Sequence, residues 1–341
     1  MRKRLKLGLV LALVAALAAA YALTRGPAAP SPSPPGTVSF AVLGDAPYYL
    51  WENLQFRVVL ADLEVHDLAW VIHVGDIFWR PCTDELYRRS LAWFDGLSHP
   101  VVYTPGDNEW TDCWEAGSGG LDPLDRLGRI REIFFADPTR SLGGRRITLA
   151  TQGRRVAAEP AAEGEPPAFP ELVENTRWQA HGMVFATVNL PGSRNAMEPF
   201  PLRTAAHDAA AARRTEGAAA WVRETFAVAA AAGAGAVAVA FHANPGLENQ
   251  ADSPYRQAYE PFVTAIEEEA ERFDGPVLLL HGDDHVYLVD HALTRRTTGQ
   301  RLPNVTRLQV PGSPRVGWVR VTVTPGPEPA FAFENRTLPR W

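Results

Sequence analysis

The residues best equipped for chemistry in this chain are acids and histidines that stand directly after apolar runs. Asp45 follows "VSFAVLG", Asp76 follows "AWVIHVG", and Asp107 follows "VVYTPG" as the second residue of "GDNE". His242 closes "AVAVAFH", and "HGDDH" (His281–His285) follows "VLLL". Carboxylates and imidazoles are ligands of divalent cations. So many acids gathered in one cleft require cations to neutralise them. A mixed set of this kind suits two divalent ions bridged by one carboxylate. Any one Gly-Asp pair is an ordinary turn signal; the information lies in five such positions in succession.

These positions meet only if the runs before them are neighbouring strands. The pattern predicts strands over 38–43, 69–74, 101–104, 183–190, 236–241, 277–280, 287–289, 306–310, 318–323 and 330–334. Helices are predicted over 51–64, 84–96, 121–135, 207–232 and 255–273. The early strands are apolar on both faces, as in a sheet covered by helices. The tail alternates ("GWVRVTV"), as in antiparallel pairing. An α/β front with a β-rich tail predicts two sheets packed face to face with helices outside. In such sheets ligands sit beyond the carboxyl ends of the strands, where the acids and histidines are. The stretch 137–175, rich in Pro, Gly and Glu, reads as a surface insertion, with an active-site flap as one use.

In kind and order the five strand ends resemble the calcineurin-like metallophosphoesterases of the purple-acid-phosphatase-like superfamily. Their pattern runs D-x-H, G-D-x-x, G-N-H-[D/E], a lone His, then G-H-x-H, and the resemblance spans roughly Val38 to Val289. It implies a four-layer α/β/β/α sandwich of two mixed sheets. It also implies two divalent ions and a metal-activated water or hydroxide that attacks the phosphorus of a phosphate ester. Position by position, Asp45 would bind the first ion and Asp76 would bridge both. Asp107 takes the place of the metal-binding Asn, and Asn108 that of the His. His242 would hold the second ion. Asp283 takes the place of the first His of the last motif, and His285 would complete the first ion.

The departures from the pattern carry information. Pro47 stands where the first motif has His; Tyr48, next to it, is an oxygen that could substitute. Asp107 and Asp283 replace an amide and an imidazole, which favours Mg, Mn or Ca over Zn at the second site. Mn, Mg, Fe, Ca and Zn remain open as identities, as does whether Asp107 or Asn108 touches the ion. Asn108 donates hydrogen bonds but cannot give up a proton near pH 7. Either another acid serves, with His281 as the candidate, or the leaving group needs none. The alternative for His281 is a strand-end residue of the core. Asn108, Asn189 and Arg194 are the candidate substrate-binding residues, an Arg being suited to phosphate oxygens. The expectation is a metal-dependent phosphohydrolase of a phosphate-ester small molecule, mono- or diester. The rival is a catalytically degenerate relative acting as a cell-surface binding protein, which the changes at Pro47 and Asn108 favour.

Composition bounds these readings. With 46% apolar and 21% charged residues the chain describes an ordinary globule. Residues 1–25 have a basic start and an apolar run, as in a secretory signal peptide or an N-terminal membrane anchor. Residues 26–36 read as a Pro/Ser-rich spacer, and 37–341 as one metallophosphoesterase-like domain. Five of the 33 basic residues lie in the first 25 positions, so the remainder carries 28 basic against 39 acidic residues. That balance argues against a nucleic-acid partner, and it leaves membrane contact to the N-terminal segment. Cys82 and Cys113 follow two neighbouring strand ends, and in an exported chain they are expected to form a disulfide. No G-x-S-x-G elbow, P-loop or C-x-x-C motif is present.

Overall fold

The computed structural model describes residues 36–154, 168–249, 252–324, 326 and 329–339. The expected leader and all but the last residue of the expected spacer lie outside the described residues, as does the middle of the expected insertion, 155–167.

The first sheet holds β1 (Val38–Leu43), β2 (Val71–His73), β3 (Val101–Tyr103), β11 (Gly317–Thr324) and β12 (Ala330–Thr337). Its order is β12-β11-β1-β2-β3, with β1, β2 and β3 parallel and the two tail strands antiparallel. The second sheet holds β4 (Ala150–Thr151), β5 (Thr176–Ala180), β6 (Met183–Thr187), β7 (Ala236–Ala240), β8 (Val277–His281), β9 (Leu288–Asp290) and β10 (Val305–Gln309). Its order is β4-β5-β6-β7-β8-β10-β9, with β6, β7, β8 and β10 parallel and the edges antiparallel.

The period-two alternation of strand side chains decides which face each residue serves. In β1, Phe40 and Val42 point between the sheets, where they join Ile72, Phe185, Ala238, Leu278 and Leu308. Ala41 and Leu43 point the other way. They meet Phe56 and Val59 of α1 (Glu52–Glu64), Phe94 of α2 (Asp84–Asp95) and Ile130 of α3 (Pro123–Phe134). The outer face of the second sheet, with Val237, Val239, Val277 and Leu279, is covered by α4 (Ala205–Ala232) and α6 (Glu260–Arg272). The result is the expected four-layer α/β/β/α sandwich of two mixed sheets.

Local sequence explains the helix ends. The Thr83 hydroxyl caps α2 by accepting from Leu86 N, and Asp122 caps α3 ahead of Pro123. Alanine-rich α4 starts at a Thr204–His207 capping box and stops at Gly233, which is left-handed. Several details differ from the sequence expectation, the short strands β4 and β5 among them, which fall outside every expected strand. The helix expected over 255–273 is divided into α5 (Pro254–Gln257) and α6, because Pro261 lacks an N–H and starts a new first turn. The described flanks of the expected insertion are also tied into the sheets: Leu142 bridges Val101, and Leu149 is buried between the sheets. Among the described residues, no helix is long and apolar enough to cross a membrane.

Candidate metal centre

Parallel strands that run the same way end at the same pole. The carboxyl ends of β1, β2, β3, β7 and β8 therefore deliver Asp45, Asp76, Asp107, His242, Asp283 and His285 to one cleft. Ligand atoms of Asp45, Asp76 and His242 lie within 4.8 Å of one another, and so do those of Asp107, His242 and Asp283. His285 Nε2 stands 3.8 Å from Asp45 Oδ1.

The backbone is bent to make this possible. Asp45, Asp76, Asp283 and His285 all have positive φ, between 55° and 79°. Asp and His are among the few side chains that tolerate this region, and its cost of order 1–3 kcal/mol per residue is typical of functional sites. Two glycines supply the room. A Cβ on Gly106 would collide with the Asp76 carboxylate, and one on Gly282 with that of Asp45.

Histidine orientation is fixed from behind. His242 Nδ1 donates to the Val74 carbonyl at 2.9 Å, which turns Nε2 toward Asp107 Oδ1 at 2.8 Å, Asp76 Oδ1 at 3.5 Å and Asp283 Oδ1 at 3.8 Å. His285 Nδ1 donates to the Ser313 carbonyl at 2.7 Å and presents the Nε2 lone pair to the cleft. Such backbone anchors select the tautomer that a metal needs.

Burial, against the opposing charge of His242, pushes the Asp45 carboxyl up to about 8. Burial also raises Asp76 well above the carboxylate range, and burial with the Asp107 charge brings Asp283 to about 6. At Asp107 burial works the same way, but the hydrogen bond and charge of His242 outweigh it and hold that carboxyl low. Burial opposes a charged His242, yet Asp76 and Asp107 raise its pKa well above the ordinary value. His242 thus supplies positive charge inside a cluster that could hold a divalent cation. No Arg bonds any of the four carboxylates among the described residues, and the buried Asp45 Oδ2 accepts nothing. Four carboxylates, two oriented imidazoles and an orphaned buried oxygen fit divalent cations.

The other expected residues divide. Asn108 is in the cleft, where its backbone N and Nδ2 donate to the two Asp76 oxygens at 3.0 and 2.6 Å. Tyr48 is there too: its hydroxyl donates to Asp76 Oδ2 and lies 3.3 Å from His285 Nε2. Arg194 is exposed beside the cleft on a left-handed turn, Gly192–Ala196, whose Ser193 hydroxyl donates to Asp107 at 3.2 Å and Asp112 at 2.5 Å. Asn189 is not brought to the cleft. It is fully buried, and its Nδ2 donates to Glu174, which a bidentate Arg131 also holds. Nor is His281. Alternation along β8 places it on the helix side with Val277 and Leu279, stacked on Phe241, and burial lowers its pKa to about 3. Cys82 and Cys113 are joined in a disulfide, with Cys82 Sγ 3.3 Å from the Asn108 carbonyl, so it braces the Asp107–Asn108 loop.

Two supporting residues escaped the sequence reading. Glu109 is fully buried and accepts from Ile77 N at 2.9 Å and the Tyr103 hydroxyl at 3.1 Å, which locks the loops after β2 and β3 together. Its signal was its place in "GDNE". Asn244 donates from its N to Asp283 at 2.8 Å and from Nδ2 to Asp284 at 2.6 Å. A polar residue two positions after His242 is too common a feature to have marked it.

No family model matches the chain, and no curated protein matches it. Among solved structures, that of PhoD matches with a TM-score of 0.54 at 14% identity, covering 90% of this chain and 70% of that one. The likeness is one of fold.

Proposed function

We propose that the chain is a metal-dependent phosphohydrolase. The observation that carries the reading is the convergence of four carboxylates and two backbone-anchored imidazoles at one pole of a metallophosphoesterase-type sandwich. In this reading Asp45, Asp76, His285 and the Tyr48 hydroxyl hold a first divalent ion. Asp107, His242 and Asp283 would hold a second, with the Asp76 carboxylate within reach of both sets. Ions bound there supply Lewis acidity, which lowers the pKa of a water and neutralises charge on phosphoryl oxygens.

The chain's own residues do the rest. Asn108 orients Asp76 through two hydrogen bonds and has no proton to give a leaving group. Arg194, exposed on the turn whose Ser193 bonds Asp107, is the residue this reading assigns to a phosphate oxygen. With His281 in the core and Asn108 an amide, the chemistry relies on a leaving group stable as an anion. The Cys82–Cys113 disulfide supports export to an oxidising compartment.

Hydrolysis of an aryl phosphate mono- or diester by Mn²⁺-loaded protein tests the reading. Folded, metal-loaded protein that is inert on both ester types favours the rival, a degenerate binding protein.

A further inference from the structure

Large apolar side chains exposed in contiguous patches usually mark a binding surface. Among the described residues, seven exposed large apolar side chains come in two runs, Tyr49, Leu50, Trp51 and Leu54 after β1, and Val286, Leu288 and Val289 after β8 and into β9. Those segments leave the pole that carries the carboxylate cluster.

The patch is densest beside the first half of the cluster. Tyr48 and His285 are in ring contact there, with centroids 5.1 Å apart. From that contact the two segments run on to exposed apolar residues: Tyr49, Leu50 and Trp51 on one side, Val286 and Leu288 on the other. Leu50 is 84% exposed, Trp51 60% and Val286 52%. Tyr49 stacks on Trp51 at 4.6 Å and meets the edge of Trp79 at 5.5 Å, so the brim is built and ordered. The same pole carries Arg80, Arg194 and Arg315, all exposed. None of the three pairs with a carboxylate among the described residues. Arg80 stacks over the Trp79 ring at 3.8 Å and keeps its charge. In a net-acidic globule these cations, unpaired with any carboxylate, draw an anionic group toward the brim.

An apolar brim, cations that no carboxylate pairs and a candidate metal centre side by side fit one kind of molecule. We infer that the site takes amphiphilic phosphate esters, with the phosphate at the carboxylate cluster and an apolar chain lying across Leu50, Trp51 and Val286. The inference rests on reading the cluster as a phosphoester site. A sugar phosphate would lay hydroxyls against this brim and lose their hydration without return. A hydrocarbon chain gains there, by about twofold in affinity for each methylene half-covered.

Calorimetric titration of full-length, Mn²⁺-loaded protein with butyl- and octylphosphonate, below their micellar concentrations, tests this. Wild type is compared with the double variant Leu50→Ser/Val286→Ser and with Trp51→Ala. The apolar N-terminal segment is common to all three proteins, so differences between them report the brim alone. The expected result is binding at least about tenfold tighter for octyl than for butyl in wild type, with that gain lost in the double variant or in Trp51→Ala. No gain in wild type, or a gain that survives in both variants, overturns the inference. Binding is read without turnover. A protein that grips octylphosphonate through the brim yet hydrolyses nothing therefore refutes the phosphohydrolase reading and leaves this one standing.

Discussion

His242 places its Nε2 2.8 Å from Asp107 Oδ1 while its Nδ1 stays fixed on the Val74 carbonyl at 2.9 Å. One imidazole therefore faces three carboxylates from a position it cannot rotate out of. Replacing it with Ala removes a proposed ligand and the positive charge that faces those carboxylates. The expected outcome for His242→Ala is Mn²⁺ affinity weaker by about a hundredfold or more by calorimetry, and one ion per chain at concentrations that fill two sites in wild type.

The cluster sets a pH dependence whose sign follows from its raised carboxyls. Asp45 titrates at about 8 and Asp283 at about 6 in the folded, metal-free chain. Both titrate at about 3.9 when unfolded. Between those limits the folded state binds more protons, so metal-free stability is greatest at low pH and falls as pH rises through about 6 to 8. Asp107, held low, is ionised in both states over this range and drops out. The buried His73 and His281, lowered to about 3, oppose only below the ordinary histidine range, and the raised Asp76 and His242 add to the fall above it. The thermal midpoint in chelator should thus drop between pH 5.5 and 8, and the gain on adding Mn²⁺ should widen over the same range. An equal gain at both pH values contradicts the account.

Glu109 has a structural use that can be weighed. Glu109→Ala strands the buried Ile77 N–H and Tyr103 hydroxyl that the carboxylate now satisfies. At about 1–3 kcal/mol for each of the two buried groups left unpaired, the loss should be about 2–6 kcal/mol by chemical denaturation. The loop bearing Asp76 should loosen with it, seen as faster amide exchange at Ile77.

Asn108 makes the leaving group matter. With no proton donor at this position, kcat should fall steeply from 4-nitrophenyl to alkyl esters of the same phosphate. Asn108→His supplies an imidazole, and a general acid is worth about 10²–10⁴-fold. The variant should raise alkyl-ester turnover relative to aryl by about tenfold or more. An unchanged ratio means that an acid already operates elsewhere in the cleft.

Much of the fold was legible because apolar runs and their periods specify it directly. β1 runs over Val38–Leu43 as expected, and the pole where Asp45, Asp76 and Asp107 gather follows from parallel strands ending together. What stayed hidden depends on side-chain direction or partners distant in sequence. His281 and Asp283 are two residues apart, yet strand alternation sends the first into the helix-side core before the chain turns and delivers the second to the cleft. Asn189 looks like a strand-end polar residue, but its fate is decided by Glu174 and Arg131. The strand β5 was missed because Thr176–Ala180 is short and polar, and gains its pairing only from β6.

The central claim is that the carboxylate–imidazole cluster is a hydrolytic metal centre. Turnover of 4-nitrophenyl phosphate esters by Mn²⁺-loaded wild type and Asp76→Asn, measured side by side with metal content, tests it most directly. The account predicts turnover in wild type and a loss of at least about a thousandfold in the variant, a barrier increase of about 4 kcal/mol. Equal turnover in the two proteins, or none in wild type that carries two ions per chain, would contradict it.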